Sequence, residues 1–203
     1  MIIDPSPQGT PEWLQARAGV VTASCFSQVM AGGKGITRTG YMRILANEII
    51  TGKPFISGFT TPWMEGGTAR EPESREFYTF ESGNQVDQVG LIYLDELKRI
   101  GASVDGLIGD DGQQELKNPK LETHLGYLLD GGLPAAYVKQ VQGQLWVTGR
   151  QWCDFSSYHP DAFKLLFTQR VERDETIIGA ISDAVCGFIV ELDSLVETMR
   201  KLA

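Results

Sequence analysis

Residues 109–112, Gly-Asp-Asp-Gly, constrain the fold of this 203-residue chain more than any other stretch. These residue types favour tight turns, and they lie between two segments with strand-forming side chains, residues 99–104 and 113–117. The sequence therefore predicts a β-hairpin. Because side chains alternate along a strand, Glu115 and Lys117 project from one face about 7 Å apart. The pairing of the two strands then brings Asp105 beside them.

Two carboxylates next to one ammonium suit the metal-dependent hydrolysis of a phosphodiester. The oxygens of Asp105 and Glu115 are the hard ligands that Mg²⁺ prefers, and the carbonyl of Leu116 offers another oxygen. Lys117 would orient the attacking water or neutralise charge that develops on the phosphate. The competing interpretation is a turn at Asp105 and a surface ion pair between Glu115 and Lys117. The spacing alone favours the ion pair, because these residue types are common.

The composition indicates one domain, residues 1–203, in a cytoplasmic protein. A chain of 22.4 kDa can bury one sizeable core. No apolar run approaches the roughly 20 residues that a membrane span needs, and the N-terminus lacks the pattern of a signal peptide. The three cysteines, Cys25, Cys153 and Cys186, are not clustered, which favours a reducing compartment over zinc binding or disulfides.

The net charge of -8 argues against a nucleic-acid partner, because such proteins usually present a basic surface. The charge is compatible with DNA binding only under one arrangement. Acidic residues must cluster at a metal site and on outer faces, while Arg and Lys line one concave channel. Residues 172–197 hold much of the acidic excess, as this arrangement requires.

The N-terminal part of the chain contains a candidate phosphate site. We predict a helix over residues 11–18 that carries Arg17, and a second helix over residues 23–30 that Thr22 caps. Ser24 then lies in the first turn of the second helix, where backbone amides favour an anion and Arg17 adds further donors. The alternative role of Ser24 is that of a capping hydroxyl only.

The remaining pattern predicts a mixture of helices and strands. Further helices are expected over residues 41–51, 68–81, 120–130, 134–147 and 176–202, and further strands over residues 85–94, 152–158 and 165–172. Glu71 would lie near the N-terminus of its helix. The helix over residues 134–147 carries a row of amides, Gln140, Gln142 and Gln144, which serve either as helix surface or as hydrogen-bonding groups in a catalytic site.

Five separated segments resemble phage lambda exonuclease and the related YqaJ-type viral recombinases, which are members of the PD-(D/E)xK nuclease superfamily. They are Gly-Val-Val-Thr-Ala-Ser at 19–24, Gly-Thr-Ala-Arg-Glu at 67–71, Asp-Gly-Leu at 105–107, Glu-Leu-Lys at 115–117 with Pro119, and Gln-Val-Gln at 140–142 followed by Leu-Trp-Val at 145–147. Their order and spacing agree over most of the chain. This agreement reverses the preference for a surface ion pair.

The resemblance implies an α/β (α+β) fold with a restriction-endonuclease-like core, in which helices flank a central mixed sheet. It implies a 5′→3′ exonuclease on linear duplex DNA that releases mononucleotides and leaves 3′ overhangs for recombination. Such enzymes use two Mg²⁺ ions, with Mn²⁺ as a possible substitute, and form ring-shaped homotrimers. They work with a single-strand-annealing protein in a bacterial cell that carries the phage or prophage.

The resemblance also assigns residues. Asp105 and Glu115 would be metal ligands, Glu71 a further carboxylate, Lys117 the catalytic lysine and Gln140 a supporting polar contact. Arg17 and Ser24 match residues that bind a 5′ phosphate, and we add Trp13 and Lys34 as candidate DNA contacts.

Two positions depart from the family pattern. Val104 replaces the usual proline before the aspartate, and Gln114 stands where an apolar residue is common. Neither departure removes a ligand. Two other functions remain open at this point: a sequence- or structure-specific endonuclease on the same core, and a non-catalytic DNA-end-binding module.

Overall fold

Two four-stranded mixed sheets form the framework of the chain. The structure, a computed structural model, describes residues 1–31, 36–56 and 62–202. The first sheet has the order β1-β3-β4-β2 and the second has the order β5-β6-β7-β8. The strands are β1 (Ile2–Ile3), β2 (Val21–Thr22), β3 (Ile92–Tyr93), β4 (Ile100–Ala102), β5 (Gly106–Ile108), β6 (Gly112–Lys117), β7 (Trp152–Tyr158) and β8 (Leu166–Glu172).

Helices flank both sheets, as predicted for the fold class. They are α1 (Pro11–Arg17), α2 (Phe26–Val29), α3 (Ile36–Thr51), α4 (Pro62–Ser82), α5 (Leu121–Asp130), α6 (Val138–Thr148) and α7 (Glu175–Arg200), with short 3₁₀ turns at Ala23–Cys25 and Ala135–Tyr137. The mixed α/β fold is confirmed, although the strands divide between two sheets.

The hairpin exists, but its first strand differs from the predicted one. The turn connects β5 to β6, with Gly106 opposite Gln114, and Gly109 takes the positive φ of 51° that a tight turn favours. Residues 100–102 instead form β4, which lies parallel to β2 in the first sheet. The backbone of β4 is paired on both edges, with β2 and with β3, so it is not available to pair with β6.

Several predicted elements also change their limits. The strand expected over residues 85–94 is only β3, the helix expected over residues 41–51 begins at Ile36, and the helix expected over residues 134–147 begins with a 3₁₀ turn.

The region 23–30 divides into the 3₁₀ turn and α2, and the side chain of Thr22 forms no capping hydrogen bond. Helix α4 begins at Pro62, since proline is favourable at the first helical position. Glu71 consequently lies in the middle of α4 and not near its N-terminus.

The strand that carries Glu115 lies inside the second sheet and is covered on both faces. It pairs antiparallel with β5 and parallel with β7. Gln114, which departs from the family pattern, is fully buried opposite Asp154 on β7. The buried guanidinium of Arg150 donates hydrogen bonds to the carbonyls of Gly109 (2.6 Å) and Gly112 (2.8 Å), so it fixes the hairpin turn.

The main core lies between the first sheet and helices α2, α3, α6 and α7. Helix α7 contributes buried residues at helical spacing, Ile178, Ile181, Val185, Phe188, Leu192 and Val196. A second core cluster, which includes Val141, Leu145 and Phe155, joins α6 to β7. Helix α6 therefore packs against both sheets. No helix in the described part of the chain is long and apolar enough to cross a membrane.

Candidate active site

The end of β6 and the segment before β5 bring Asp105, Glu115 and Lys117 together. Asp105 Oδ2 accepts a hydrogen bond of 2.6 Å from the backbone N–H of Leu116. Glu115 is only 2% exposed and forms an ion pair with the ammonium of Lys117, which is 27% exposed. The pair is therefore largely inside the protein and is not the surface ion pair of the competing interpretation.

Helix α6 places an amide on each oxygen of Glu115. Gln140 Nε2 donates to Glu115 Oε1 and Gln144 Nε2 donates to Glu115 Oε2, both at 2.6 Å. Residues four apart share one face of a helix, which explains why both amides reach the same carboxylate. Gln142 lies elsewhere and donates to the carbonyl of Glu172. The amide row is thus divided between the site and a structural contact.

The electrostatics of the site favour a bound cation. Burial and the negative charge of Glu115 raise the pKa of Asp105 to about 7, although Lys117 and the Leu116 N–H oppose the change. Burial lowers the pKa of Lys117, but the charges of Glu115 and Asp105 outweigh burial and raise it overall. Lys117 therefore remains an ammonium at neutral pH.

Glu71 and Asp105 line one cleft of about 360 Å³, together with Arg75, Gln8 and Gln88. Burial, and to a smaller extent Glu115, raise the pKa of Glu71, while Arg75 and Lys117 lower it. The cleft gives a ligand access to Asp105. Arg75 provides one positive charge beside the two carboxylates of the cleft, so this cleft by itself is not the channel lined by Arg and Lys that DNA binding requires.

Arg17 contacts Ser103, which lies two residues before Asp105 in the chain. It forms no ion pair with any described residue, Glu12 of the same helix included. Its guanidinium donates to Ser103 Oγ at 3.0 Å and to Thr22 Oγ1 at 3.4 Å, and it stacks 4.5 Å from the ring centre of Trp13. Burial lowers the pKa of Arg17, and the charges of the nearby Cys25, Tyr41 and Glu48 partly oppose this change.

Ser24 joins the same group of side chains. Its hydroxyl lies 3.3 Å from Thr22 Oγ1 and is exposed, so a ligand can reach it. Trp13, Arg17 and Ser24 are therefore brought together, through contacts that differ from the predicted helix cap. Lys34, the remaining predicted DNA contact, lies outside the described residues.

The sequence pattern includes Gln144 only in the amide row, with both uses of that row open, and gives no role to Arg75. The spacing of Gln144 from Gln140 could have indicated its place in the site, because positions four apart share a helix face. No comparable signal marked Arg75. It lies four residues after Glu71 on α4, in the middle of the predicted helix over residues 68–81.

The donor set fits a divalent metal of the Mg²⁺ class. No group of three or more His, Cys, Asp or Glu side chains with metal-binding geometry occurs in the ranges that the structure describes. Mg²⁺ needs fewer protein ligands, because it typically binds through one or two carboxylates and retains several waters. The raised pKa of Asp105 beside Glu115 identifies two carboxylates whose repulsion a cation would relieve.

A sequence model of the YqaJ-like viral recombinase domain matches residues 12–151. The chain belongs to this family. The match spans both the Arg17 group and the Asp105 centre, so all the described candidate residues lie within the family domain. The expected resemblance is therefore confirmed.

Solved structures of exonucleases share the fold of this family member. The alkaline exonuclease LHK-Exo from Laribacter hongkongensis is 40% identical, with a TM-score of 0.86 over 96% of this chain and 100% of that chain. The same protein in complex with dAMP gives a TM-score of 0.87 with the same identity and coverage. A phage-related exonuclease from Haemophilus somnus 129PT, 16% identical over 89% of this chain and 96% of that chain, shares the fold with a TM-score of 0.68.

A curated relative is the uncharacterized protein R354 of Acanthamoeba polyphaga mimivirus. It is 29% identical over 164 residues, which are 73% of this chain and 28% of the viral protein. The chain thus matches little more than a quarter of that relative's length.

Proposed function

We propose that this YqaJ-like protein is a metal-dependent exonuclease that degrades linear duplex DNA from 5′ ends. It would release mononucleotides and leave 3′ single strands for recombination, with residues 1–203 acting as one nuclease domain. The observation that carries the proposal is the cluster of buried Glu115 with half-buried Asp105 and Lys117 beside an open cleft. The 40% identity to an alkaline exonuclease supports it.

We assign metal binding to Asp105 and Glu115, with the carbonyl of Leu116 as a further oxygen, Mg²⁺ as the ion and Mn²⁺ as a substitute. Two ions would stabilise charge on the attacking and leaving oxygens. Gln140 holds Glu115 through a charge-assisted hydrogen bond, which fixes the carboxylate before substrate arrives. Glu71 adds negative charge on the cleft wall.

Lys117 serves as a fixed positive charge beside the scissile phosphate. In the metal-free protein the charges of Glu115 and Asp105 outweigh burial and raise its pKa, so Lys117 is there an ammonium and not a base. A compact ammonium can instead donate a hydrogen bond to a phosphate oxygen or orient the attacking water.

The group of Trp13, Arg17 and Ser24 would bind the terminal 5′ phosphate, with Lys34 as a further DNA contact. Arg17 has no carboxylate partner among the described residues, and Ser24 presents an exposed hydroxyl beside it. A terminal phosphate carries almost one more negative charge than an internal phosphodiester, so a guanidinium prefers the end.

Linear and supercoiled circular duplexes test the function directly. With Mg²⁺, the protein should release acid-soluble nucleotides from linear DNA and leave the circle intact, and a chelator should stop the release. Cleavage of the circle would instead indicate the endonuclease. An absence of released nucleotide under both conditions, with DNA still bound, would indicate the end-binding module.

A second comparison tests the end site. Linear duplex with 5′-phosphate ends should be degraded faster than the same duplex with 5′-hydroxyl ends. Arg17→Ala should reduce that difference by about 1–3 kcal/mol, the scale of one charged hydrogen bond. Equal initial rates on both duplexes with the wild-type protein would refute the end site.

A further inference from the structure

Gln144 is a buried amide that the proposed mechanism leaves without a role. Its side chain is 1% exposed. Its Nε2 donates to Glu115 Oε2 at 2.6 Å and also lies 3.2 Å from the carbonyl oxygen of Ser103. One amide nitrogen therefore touches both the strand that carries Glu115 and the segment that leads to Asp105.

Ser103 connects this contact to Arg17 and to the segment that leads to Asp105. Its hydroxyl accepts the 3.0 Å hydrogen bond from Arg17, and its chain position is two residues before Asp105. A continuous series of hydrogen bonds consequently runs from Arg17 through Ser103 and Gln144 to Glu115. The series joins the candidate end site to the candidate metal ligands.

Local packing restricts where Gln144 can lie. The preceding residue, Gly143, faces Phe26, and a Cβ at that position would lie 2.3 Å from Phe26 Cδ2. Helix α6 therefore approaches α2 closely at this point. Gln140 occupies the other oxygen of Glu115, so the carboxylate is held from both sides.

We propose that Gln144 is a positioning residue that fixes Glu115 relative to the segment from Ser103 to Asp105. The proposal rests on the nuclease function proposed above. Gln144 would thereby hold the hydrolytic centre at Glu115 at a fixed distance and orientation from the 5′-phosphate site at Arg17. Misplacement of a reacting group by about 1 Å can lower a rate by about 100-fold, so the effect should appear in turnover.

Gln144→Met tests the proposal, because methionine has nearly the same shape without the amide donor. Gln142→Met is the matched control. Gln142 lies on the same helix, is 3% exposed, donates to the carbonyl of Glu172 at 2.8 Å and accepts from the N–H of Asp174 at 2.9 Å. Both substitutions remove a buried amide, but only Gln144 touches Glu115.

The measurements are kcat and KM on linear duplexes with 5′-phosphate and 5′-hydroxyl ends, together with thermal unfolding. We expect Gln144→Met to lower kcat on the phosphorylated duplex by at least about 10-fold with little change in KM, and to reduce the preference for the phosphorylated end. Gln142→Met should lower the unfolding temperature but retain kcat and the end preference. Circular dichroism checks that each variant is folded.

If Gln144→Met does not fold, Gln144→Asn provides the second variant. It retains the amide but shortens the side chain by one methylene, so it should give a loss in the same direction. Wild-type kcat and end preference in the folded Gln144 variant would overturn the proposal. An equal loss in Gln142→Met would also overturn it.

The wild-type protein separates this proposal from the proposed function. Failure of the wild type to degrade linear duplex refutes the nuclease function itself. An active wild type with an unaffected Gln144 variant refutes only the role of Gln144. If the wild type is active without an end preference, the kcat of the Gln144 and Gln142 variants decides the positioning role.

Discussion

At the residue scale, Asp105 is a candidate metal ligand whose ionised carboxylate lowers the stability of the metal-free protein. Burial and Glu115 raise its pKa to about 7, whereas the unfolded chain ionises near pH 4. Between these values the folded state binds the additional proton, so this group makes the metal-free protein less stable as pH rises from about 4 to 7. The metal-free folded protein is thus more stable with a neutral Asp105 than with an ionised one, which is a cost in stability at this site.

Asp105→Asn should therefore stabilise the metal-free protein while it abolishes the reaction. In chelator at pH 8 we expect the unfolding temperature to rise by about 2–8 °C, because the repulsion with Glu115 disappears. The difference should vanish near pH 4, where the wild-type carboxyl is protonated. Nucleotide release with Mg²⁺ should fall by orders of magnitude.

Asp110→Asn is the control for this change. Asp110 is an exposed residue of the same hairpin turn, and its substitution should alter neither the unfolding temperature nor the rate. A lower unfolding temperature for Asp105→Asn, or a wild-type rate, would contradict the assignment of Asp105.

Lys117 should affect turnover more than DNA affinity. Lys117→Ala removes a charge placed for the transition state, so we expect single-turnover rates to fall by about 100-fold or more. Lys117→Arg should not restore the wild-type rate, because guanidinium is wider than the ammonium that fits beside Glu115.

Fluorescence anisotropy measures the DNA affinity of each Lys117 variant and separates a loss of affinity from a loss of turnover. Lys201→Ala is the control, because Lys201 is an exposed lysine. A weaker affinity with an unchanged single-turnover rate would show that Lys117 acts in binding only.

At the element scale, helix α6 determines the geometry of the site. It carries Gln140 and Gln144 and contributes to the main core and to the second core cluster. Its close approach to α2 depends on Gly143. Movement of this one helix would change both hydrogen bonds to Glu115 together.

Gly143→Ala should therefore lower both stability and activity. The added Cβ would lie 2.3 Å from Phe26 Cδ2, and the aromatic ring is part of the buried core. We expect a loss of about 1–3 kcal/mol in the free energy of unfolding, measured by urea denaturation, and a lower kcat.

Gly179→Ala is the matched helical control, since nothing lies within 4 Å of its added Cβ. It should stabilise the protein by about 0.5–1 kcal/mol. A Gly143→Ala variant as stable and active as wild type would show that α6 can shift without effect.

At the scale of the whole molecule, net charge is the main obstacle to DNA binding. The protein carries a net charge of -8, and part of the acidic excess lies on α7, where Glu191 pairs with Arg38 and Asp193 pairs with Arg99. We therefore do not expect the outer surface to attract DNA strongly. A ring that encircles the duplex would retain DNA without that attraction.

We propose that the active form is a homotrimer that works with a single-strand-annealing protein. Light scattering across working concentrations should give three times the subunit mass of 22.4 kDa, and degradation should then be processive. A monomer at every concentration, with distributive degradation, would rule out the ring.

The sequence by itself determined the local arrangement of the hairpin that carries Glu115 and Lys117. A glycine-rich turn followed by a strand places Glu115 and Lys117 on one face, because the alternation of side chains follows from backbone geometry. The turn at Gly109 and the mixed α/β class were predictable for the same reason. These features depend on neighbouring residues, which one sequence displays directly.

Only the tertiary structure decided which distant groups meet. The strand at residues 100–102 pairs with β2 and β3 in the other sheet, and the helix that carries Glu71 begins at Pro62. Arg17 meets Ser103 across 86 residues and Gln144 meets Glu115 across 29. Such contacts follow from the packing of whole elements into shared cores, and no local pattern specifies that packing.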